Sequence, residues 1–222
     1  LFGNTSAPKS AITFTEAPIL ALTDVTGAYP LDVDGDGILD LVVLQDGPNT
    51  LLRGEGACHF IPAPADWGFD AGKEWTTAFS ATFERGQDWP TLAFGNYVDE
   101  TNPDGPFEAC DKNYLQRPDG RRFAARTPLA PSFCSLSMLF SDWQRNGTPD
   151  LRVSNDRQYY IRNGREQMWY MNPLAEYTEA EGWPTLRLWG MGIASRDITG
   201  DGLPEVMLTS MGDQTLQLDL GA

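Results

Sequence analysis

A nine-residue acidic loop that begins at Asp32 constrains this chain more than any other feature. It runs DVDGDGILD, and the apolar segment LVVL follows it at once. Carboxylates fall at positions 1, 3, 5 and 9 of the loop: Asp32, Asp34, Asp36 and Asp40. Acids this close repel one another unless a cation lies among them, and calcium, which takes about 6–8 oxygen ligands, is the natural candidate. Gly37 permits the bend, and the carbonyl of Ile38 offers one more oxygen.

An EF-hand loop is the first alternative for this motif. It requires a bidentate Glu at position 12 and a helix on each side. Position 12 is Val43, and the residues after the loop are β-branched and apolar. The loop is therefore predicted to open a β-strand. A solvated acidic turn that holds no metal is the second alternative.

The loop recurs along the chain. Copies start at residues 32, 83, 142 and 197, which are 51 to 59 residues apart. The last copy has oxygen-bearing side chains at the same four positions, and the copy at 142 has amides at positions 3 and 5. The copy at 83 keeps the length but has Arg85 at position 3, so we predict no metal there. A strand–turn–strand element recurs between the loops, as in residues 49–60 and 113–123.

A period of this length, with several short strands in each unit, is typical of a β-propeller blade. Neighbouring blades cover both faces of each blade, so the strands are predicted to be apolar on both sides. We therefore predict an all-β chain, a β-propeller with about four blades, as part of a larger propeller. A self-closed four-bladed ring is the alternative. The predicted repeats are residues 19–74, 75–131, 132–185 and 186–222, with a strand at Ile19–Leu22 leading into the first loop and residues 1–18 as outer strands of an adjoining blade.

The composition narrows the possible partners. Among 222 residues there are 31 acids and 16 bases, giving a net charge of −15. Such a charge argues against nucleic acid and against anionic membrane surfaces as partners. It fits a protein that meets calcium outside the cell. No apolar run reaches the roughly 18 residues of a membrane span, and no signal peptide is visible. Because the segment begins without Met, a leader would lie outside it.

Three cysteines allow at most one disulfide within the chain. Cys110 and Cys134 bracket a hairpin and a loop and are the predicted pair; three free thiols, Cys58 included, are the alternative. Catalysis is not expected, because His59 is the only histidine and no Ser-His-Asp set or nucleophile elbow is present. Paired carboxylates of the glycosidase type remain a catalytic alternative.

Two further features have a structural and a functional interpretation. The acidic segment Asp99–Gly105 is predicted to be a solvated surface turn. The tryptophans are predicted to pack between blades, with stacking on sugars as the alternative for any that are exposed. They are Trp67, Trp75, Trp89, Trp143, Trp169, Trp183 and Trp189.

The loop at residues 32–41 resembles the FG-GAP / VCBS repeat, which builds the calcium-bearing propeller of integrin alpha chains. The third and fourth loops, together with Phe94–Tyr97, resemble more closely the cartilage acidic protein family. This resemblance implies a secreted or surface-exposed propeller, commonly seven-bladed, with calcium held in loops within individual blades. It implies an extracellular, cell-surface or periplasmic location.

The metal positions of the family carry over to three loops of this chain. They are Asp32, Asp34, Asp36, Ile38 (carbonyl) and Asp40; Asp142, Gln144, Asn146, Thr148 (carbonyl) and Asp150; and Asp197, Thr199, Asp201, Leu203 (carbonyl) and Glu205. The expected cofactor is Ca²⁺ in a structural role, because binding and local folding are coupled. The expected function is protein binding, adhesion or assembly, with a protein or a glycan at the cell surface as partner. A carbohydrate-binding propeller is the alternative, and a propeller attached to a secreted enzyme is a further one.

Overall fold

The fold consists almost entirely of short β-strands. The computed structural model describes residues 2–16, 21–156 and 161–218. Within them the strands are β1 (Phe2–Asn4), β2 (Phe14–Glu16), β3 (Val25–Leu31), β4 (Asp40–Gln45), β5 (Thr50–Gly56), β6 (His59–Pro62), β7 (Thr76–Thr82), β8 (Thr91–Asn96), β9 (Asn113–Gln116), β10 (Thr127–Leu129), β11 (Ser135–Ser141), β12 (Asp150–Asn155), β13 (Gln167–Met171), β14 (Leu174–Glu176), β15 (Gly190–Arg196), β16 (Glu205–Ser210) and β17 (Thr215–Gln217). The helices of the same residues are single 3-10 turns, Ala65–Trp67 and Glu179–Glu181, and neither has the length or apolar character needed to cross a membrane.

The strands form antiparallel sheets in which each strand pairs with the next along the chain. The first sheet contains β3–β6, the second β7–β10, the third β11–β14 and the fourth β15–β17. Among the described residues, β1 and β2 form a separate two-stranded sheet. The prediction of an all-β chain with about four such units is confirmed.

In all four sheets, the first eight residues of the nine-residue loop join the first strand to the second, and the ninth is the first residue of the second strand. In the first sheet, the pairing of Leu31 with Asp40 brings the two ends of the loop together. Strands flank the loop on both sides, which excludes the EF-hand alternative. The prediction that the loop opens a β-strand is confirmed.

A strand was predicted at Ile19–Leu22, and this prediction is wrong for residues 21–22, the part of the segment that the structure describes. Residues 19–20 lie outside the described part of the chain, and residues 21–22 are irregular. The strand of this region begins instead at Val25, directly after Asp24, which has a left-handed conformation with φ of 57°. Such a residue interrupts an extended strand, so the apolar run and the strand are separate segments.

The outer strands of the second sheet also differ from the prediction. Residues 113–123 were expected to form a complete hairpin. Only the first arm, β9, is a strand, and Pro118 and Phe123 make an isolated bridge near the tip. The partner strand β10 follows later, at Thr127–Leu129. Three residues of β10 pair with β9, and the Arg-rich residues 117–126 form a long connection between the two strands.

The hydrophobic core lies between neighbouring sheets. Strands β8 and β12 are buried at every residue. From one face of β8, Leu92 and Phe94 pack in a cluster with Val42 of the first sheet. From the other face, Ala93 packs in a cluster with Leu151 of the third sheet. Because alternate residues of a strand point to opposite faces, both faces of the second sheet are covered, and the predicted two-sided strands are confirmed.

A buried hydroxyl group joins the first sheet to the second. Thr76, the first residue of β7, accepts a hydrogen bond at Oγ1 from Asn49 Nδ2 (2.9 Å) and donates one to Asn96 Oδ1 (2.8 Å). All three residues are at least nine-tenths buried. A single hydroxyl therefore satisfies one amide from each sheet.

Ser135 repeats this bridge between the second and third sheets. Its Oγ accepts a hydrogen bond from Asn113 Nδ2 (2.7 Å) and donates one to Asn155 Oδ1 (2.9 Å). The equivalent residue of the fourth sheet, the first of β15, is Gly190. A side chain there would meet Ser154 Oγ, so the boundary between the third and fourth sheets has no such bridge.

Candidate functional site

Backbone N–H groups orient the carboxylates of the first loop. Asp32 accepts hydrogen bonds from the N–H groups of Gly35 and Gly37, each at 3.0 Å. Asp34 and Asp36 each accept one from the N–H two residues further on. The two glycines have φ of 73° and 83°, a conformation that glycine adopts without steric cost. The predicted bend at Gly37 is confirmed, and Gly35 provides a second bend that was not predicted.

Three carboxylates of the first loop converge. Asp32, Asp34 and Asp40 each offer an oxygen atom, and these atoms all lie within 4.8 Å of one another. No other group of three acidic, histidine or cysteine side chains within the described ranges is arranged in this way. Calcium binds oxygen at about 2.3–2.6 Å, so ligands on opposite sides of one ion lie up to about 5 Å apart. The spacing of the three carboxylates fits a calcium ion.

Asp40 is the buried member of this group, with 1% of its surface exposed. Its oxygens accept hydrogen bonds from the N–H groups of Val33 (2.8 Å) and Gly54 (2.9 Å). Burial raises the pKa of Asp40 above its ordinary value; the two hydrogen bonds oppose that rise, and the charges of Asp34 and Asp36 add to it. A cation among these carboxylates would relieve the repulsion.

An arginine from the third strand of the sheet faces the first loop. Arg53 Nη2 lies 3.0 Å from Asp36 Oδ2, and Arg53 Nε lies 3.3 Å from Asp34 Oδ2. Asp36 is the one predicted acid that stays outside the converging group. Arg53, from β5 of the same sheet, is thus a counter-ion for the loop, and this contact was not predicted.

The fourth loop repeats the hydrogen-bond pattern of the first. Asp197 accepts hydrogen bonds from the N–H groups of Gly200 (2.7 Å) and Gly202 (2.9 Å). Buried Glu205 closes the loop by accepting one from the N–H at position 2, at 2.6 Å. The carboxylates of Asp197, Asp201 and Glu205 do not form a group within 4.8 Å of one another as the structure describes them. The backbone is therefore arranged like that of the first loop, with its acids further apart.

The third loop is closed by a tyrosine. Asp142 accepts hydrogen bonds from the N–H groups at positions 5 and 6. The buried Asp150 accepts one from the hydroxyl of Tyr177 at 2.9 Å, and the ring of Tyr170 stacks on Tyr177 with centroids 3.4 Å apart. Burial raises the pKa of Asp150, and Tyr177 partly offsets that rise.

A cavity of about 430 Å³ adjoins the third loop. Four of the predicted ligand residues line it: Gln144, Asn146, Thr148 and Asp150. The side chains of the first two are already joined, because Asn146 Nδ2 donates to Gln144 Oε1 at 3.0 Å. This loop places neutral oxygens beside open space and has fewer charges than the first.

The degenerate second loop is closed by an ion pair. Glu84 Oε1 lies 2.7 Å from Arg117 Nε and accepts a hydrogen bond from the hydroxyl of Thr91 at 2.6 Å. Thr91, at position 9, is fully buried. In the second sheet, the guanidinium of Arg117 is therefore the positive charge that pairs with the acid of the loop.

An equivalent position at the loop end of each sheet carries, in the first three sheets, a side chain that contacts the loop or the residue that closes it. It directly follows the third-strand residue that pairs with the second residue of the strand after the loop. The residues at this position are Arg53, Arg117, Tyr170 and Leu218. In the first two sheets it holds the arginine that pairs with the loop, and in the third it holds the tyrosine stacked on the residue that closes the loop. In the fourth sheet it holds no polar group.

Comparison with solved structures identifies the fold. No protein-family model matches the sequence, and no curated protein sequence matches it. The chain is similar to a crystal structure of BBS1N in complex with ARL6DN soaked with lead, with a TM-score of 0.51 and 12% identity over 88% of this chain and 57% of that one. The mercury-soaked structure of BBS1N with ARL6DN gives a TM-score of 0.48 and 14% identity over 86% and 53% of the two chains. This chain spans about half the length of the structures that it matches.

BBS1N is a β-propeller domain, and at this identity the likeness to the lead-soaked structure shows the fold alone. This chain has the β-propeller fold. Its four sheets of successive antiparallel strands are propeller blades. The four loops lie between the first and second strands of their blades.

A second candidate site lies at the end of the second blade opposite its loop. Trp75, directly before β7, and Tyr97, directly after β8, meet edge to face with ring centroids 5.1 Å apart. They line a cavity of about 310 Å³. The rest of its wall comes from the insertion between β8 and β9: Val98, Asp99, Glu100, Asn102, Gly105 and Pro106. The acidic segment Asp99–Gly105 is a mostly exposed turn region, as predicted, and it also forms one side of this cavity.

A disulfide fixes this insertion to the next blade. Cys110 ends the insertion, Cys134 lies directly before β11, and the two are bonded as predicted. The N–H of Asp99 also donates to the carbonyl of Ala109 at 2.8 Å, which joins the two arms of the insertion. Cys58 is free and exposed. The wall of the cavity is thus held at both of its ends.

Most of the remaining residues singled out in the sequence, the tryptophans and His59, have structural roles or lie exposed on the surface. Core packing is confirmed for the four buried tryptophans, which are Trp67, Trp89, Trp169 and Trp183. Trp75 and Trp189 are half-buried, and Trp143 is 40% exposed. His59 is exposed at the start of β6, where its Nδ1 lies 2.7 Å from Glu55 Oε2.

Proposed function

We propose that this chain is a calcium-stabilised β-propeller module that binds another protein, in an extracellular, cell-surface or periplasmic setting. The observation that carries the calcium assignment is the convergence of oxygens from Asp32, Asp34 and Asp40 within 4.8 Å. The resemblance of the loops to FG-GAP / VCBS repeats supports it. The disulfide and the net charge of −15 support an oxidising compartment with ample calcium.

The residues that would hold calcium come from three loops. They are Asp32, Asp34, Asp36, Asp40 and the carbonyl of Ile38; Asp197, Thr199, Asp201, Glu205 and the carbonyl of Leu203; and Asp142, Gln144, Asn146, Asp150 and the carbonyl of Thr148. Bound calcium supplies the positive charge that offsets repulsion among the acids, so loop closure and ion binding are coupled. The first loop, with four carboxylates, is proposed as the tightest site, and the third, with two, as the weakest.

Protein binding is proposed for the propeller as a whole, in adhesion or assembly. A solved structure with a similar fold is a complex of BBS1N with ARL6DN, which supports a protein as the partner class. A binding role is proposed in preference to catalysis. The exposed His59 pairs with Glu55 on the outer hairpin of the first blade and is not among the residues that line the Trp75–Tyr97 cavity.

Thermal unfolding in calcium and in a chelator tests the metal proposal. A ligand present at a hundredfold excess over its Kd stabilises the folded state by about 2.7 kcal/mol, so we expect a clear rise in Tm with calcium. Asp34→Asn, which removes one converging carboxylate, should reduce that rise. Asp66→Asn, at an exposed acid outside the loops, is the matched control. An equal Tm in calcium and chelator would overturn the proposal, and so would equal responses of the two variants.

A carbohydrate ligand is the second candidate function. Trp143, at position 2 of the third loop, is 40% exposed and meets Trp183 edge to face with centroids 6.3 Å apart. Exposed tryptophan faces are suited to stacking on sugar rings. Binding to a glycan array that is lost in Trp143→Ala, but kept in the exposed control Phe83→Ala, would favour this function.

A further inference from the structure

The cavity between Trp75 and Tyr97 combines two properties that complement a cation. Its aromatic wall consists of two rings packed edge to face, and aromatic faces attract ammonium and guanidinium groups within about 6 Å. Its other side carries two carboxylates, Asp99 and Glu100, and no lysine or arginine is among its lining residues. The volume of about 310 Å³ suits one side chain or a small molecule.

The charge at Asp99 is held in place by its surroundings. Its Oδ1 accepts hydrogen bonds from the hydroxyl and the N–H of Thr101. These bonds lower the pKa of Asp99, and the nearby charge of Lys73 lowers it further. The carboxylate is therefore ionised across the physiological range.

Another acid, Asp111, lies within electrostatic reach of Asp99. Burial raises the pKa of Asp111, and the charges of Glu74 and Asp99 raise it further. Lys73, which is exposed, is the cation whose charge acts on both Asp99 and Asp111. It does not line the cavity.

We infer that this cavity binds the side chain of a lysine or arginine presented by a partner protein. The inference rests on the proposed protein-binding function and names the chemistry that the partner supplies. The cation lies against the faces of Trp75 and Tyr97, and Asp99 and Glu100 neutralise its charge. The disulfide and the bond from Asp99 to Ala109 hold this wall in position before the ligand arrives, which reduces the entropic cost of binding.

NMR titration of the calcium-loaded chain with short peptides tests this site directly. The probes are acetyl-Gly-Lys-Gly-amide, its arginine analogue and its norleucine analogue, which has the same apolar stem as lysine without the charge. The signal is the indole N–H of Trp75, assigned with Trp75→Phe. We expect the lysine and arginine peptides to shift this signal with saturable binding, and the norleucine peptide to leave it unchanged.

Variants at the rim separate charge recognition from folding. Because each exposed ion pair contributes modestly, we expect the double variant Asp99→Asn/Glu100→Gln to bind the lysine peptide with about fivefold lower affinity. Glu100→Gln alone, at an exposed residue, should lower the affinity for this peptide about twofold, and Lys73→Gln should raise the affinity by a similar factor. Glu179→Gln, at an exposed acid on the third blade, is the matched control and should bind as the unmodified chain does.

Three results would overturn the inference. They are equal binding of the norleucine peptide, unchanged affinity in the double variant, and a Trp75 shift produced by cellotriose but by none of the peptides. These outcomes are distinct from a failure of the calcium proposal, because that proposal is judged by Tm. A chain that gains stability from calcium but binds no cationic peptide keeps its metal sites and loses this one.

Discussion

The guanidinium of Arg53 donates a hydrogen bond to the carboxylate of Asp36, with 3.0 Å between Nη2 and Oδ2. Arg117 holds the equivalent position in the second blade, where it pairs with Glu84 in a loop that has no acid at positions 1, 3, 5 or 9. An arginine at this position therefore accompanies both an acid-rich loop and a degenerate one. In the second blade it pairs with Glu84, and in the first it would compete with the proposed calcium ion for Asp34 and Asp36.

Removing Arg53 is expected to strengthen calcium binding at the first loop. Arg53→Gln frees the carboxylates of Asp34 and Asp36 from a partly exposed ion pair, and we expect calcium affinity to rise about threefold. Isothermal titration calorimetry measures this change. Arg122→Gln, which removes an exposed pair with Asp119, should leave the affinity as it is. Weaker calcium binding in Arg53→Gln would show that the arginine supports the site instead.

Thr76→Val is expected to destabilise the boundary between the first and second blades. The substitution keeps the shape of the side chain but leaves the amides of Asn49 and Asn96 without their shared hydroxyl. Buried polar groups that lose a partner cost about 1–3 kcal/mol each, so we expect the free energy of unfolding to fall by about 3 kcal/mol. Urea denaturation measures it, with the exposed Thr127→Val as control. Equal losses in the two variants would refute the bridging role.

Acid is expected to remove the stabilisation that Glu74 contributes. Burial alone would raise the pKa of Glu74, but Arg126, whose Nη1 lies 3.0 Å away, and backbone N–H groups bring it below its ordinary value. A lowered pKa means that this stability is complete above the ordinary glutamate pKa and disappears as pH falls through the pKa of the folded state.

Glu74→Gln tests this dependence. We expect it to lower the free energy of unfolding at pH 7 by about 2 kcal/mol, because it removes a charged hydrogen bond to the largely buried Arg126 and leaves Asp70, 3.0 Å from Arg126 Nε, as the remaining carboxylate. Below pH 4 its stability should fall less steeply than that of the unmodified chain. Urea denaturation at pH 7, 5, 4 and 3 provides the measurement. Parallel pH profiles would contradict the pairing.

The disulfide is expected to stabilise the chain mainly by restricting the unfolded state. Cys110 and Cys134 are 24 residues apart, and closing a loop of that size contributes about 3 kcal/mol. Cys110→Ser/Cys134→Ser should therefore lower the Tm by several degrees in calorimetry. The exposed Cys58→Ser is the control and should leave the Tm unchanged. A Tm that is insensitive to the double substitution would contradict this expectation.

The repeat made the blades predictable. The glycine bend and the apolar strand after each loop are local features, so they are visible in the order of residues around Asp32 and again around Asp197. The pairing of Cys110 with Cys134 was also accessible, because the two residues bracket a hairpin and a loop. The start of the strand at Val25 was missed because Asp24, directly before it, has a left-handed backbone conformation that the sequence does not reveal.

The partners of the loops were not predictable, because they depend on strand register. Arg53 follows its loop by 13 residues and Arg117 by 26, since the insertion lengthens the second blade. No fixed spacing connects them until the strands are paired. The cavity was hidden for the same reason, because the pairing of Thr76 with Asn96 is what brings Trp75 beside Tyr97. Asp99 and Glu100 were recognised only as acids.

The glycine at position 190 makes the blade boundaries mechanically unequal. Thr76 and Ser135 fasten the first three blades to one another through buried hydroxyls, while the step to the fourth blade has no such fastening. That boundary is held instead by partly buried bonds, from the N–H of Ile193 to Ser137 Oγ (3.3 Å) and from Arg152 Nη1 to Gln217 Oε1 (2.8 Å). Because water reaches these bonds more easily than the buried hydroxyl bridges, the boundary before the fourth blade is expected to loosen first when the chain is stretched.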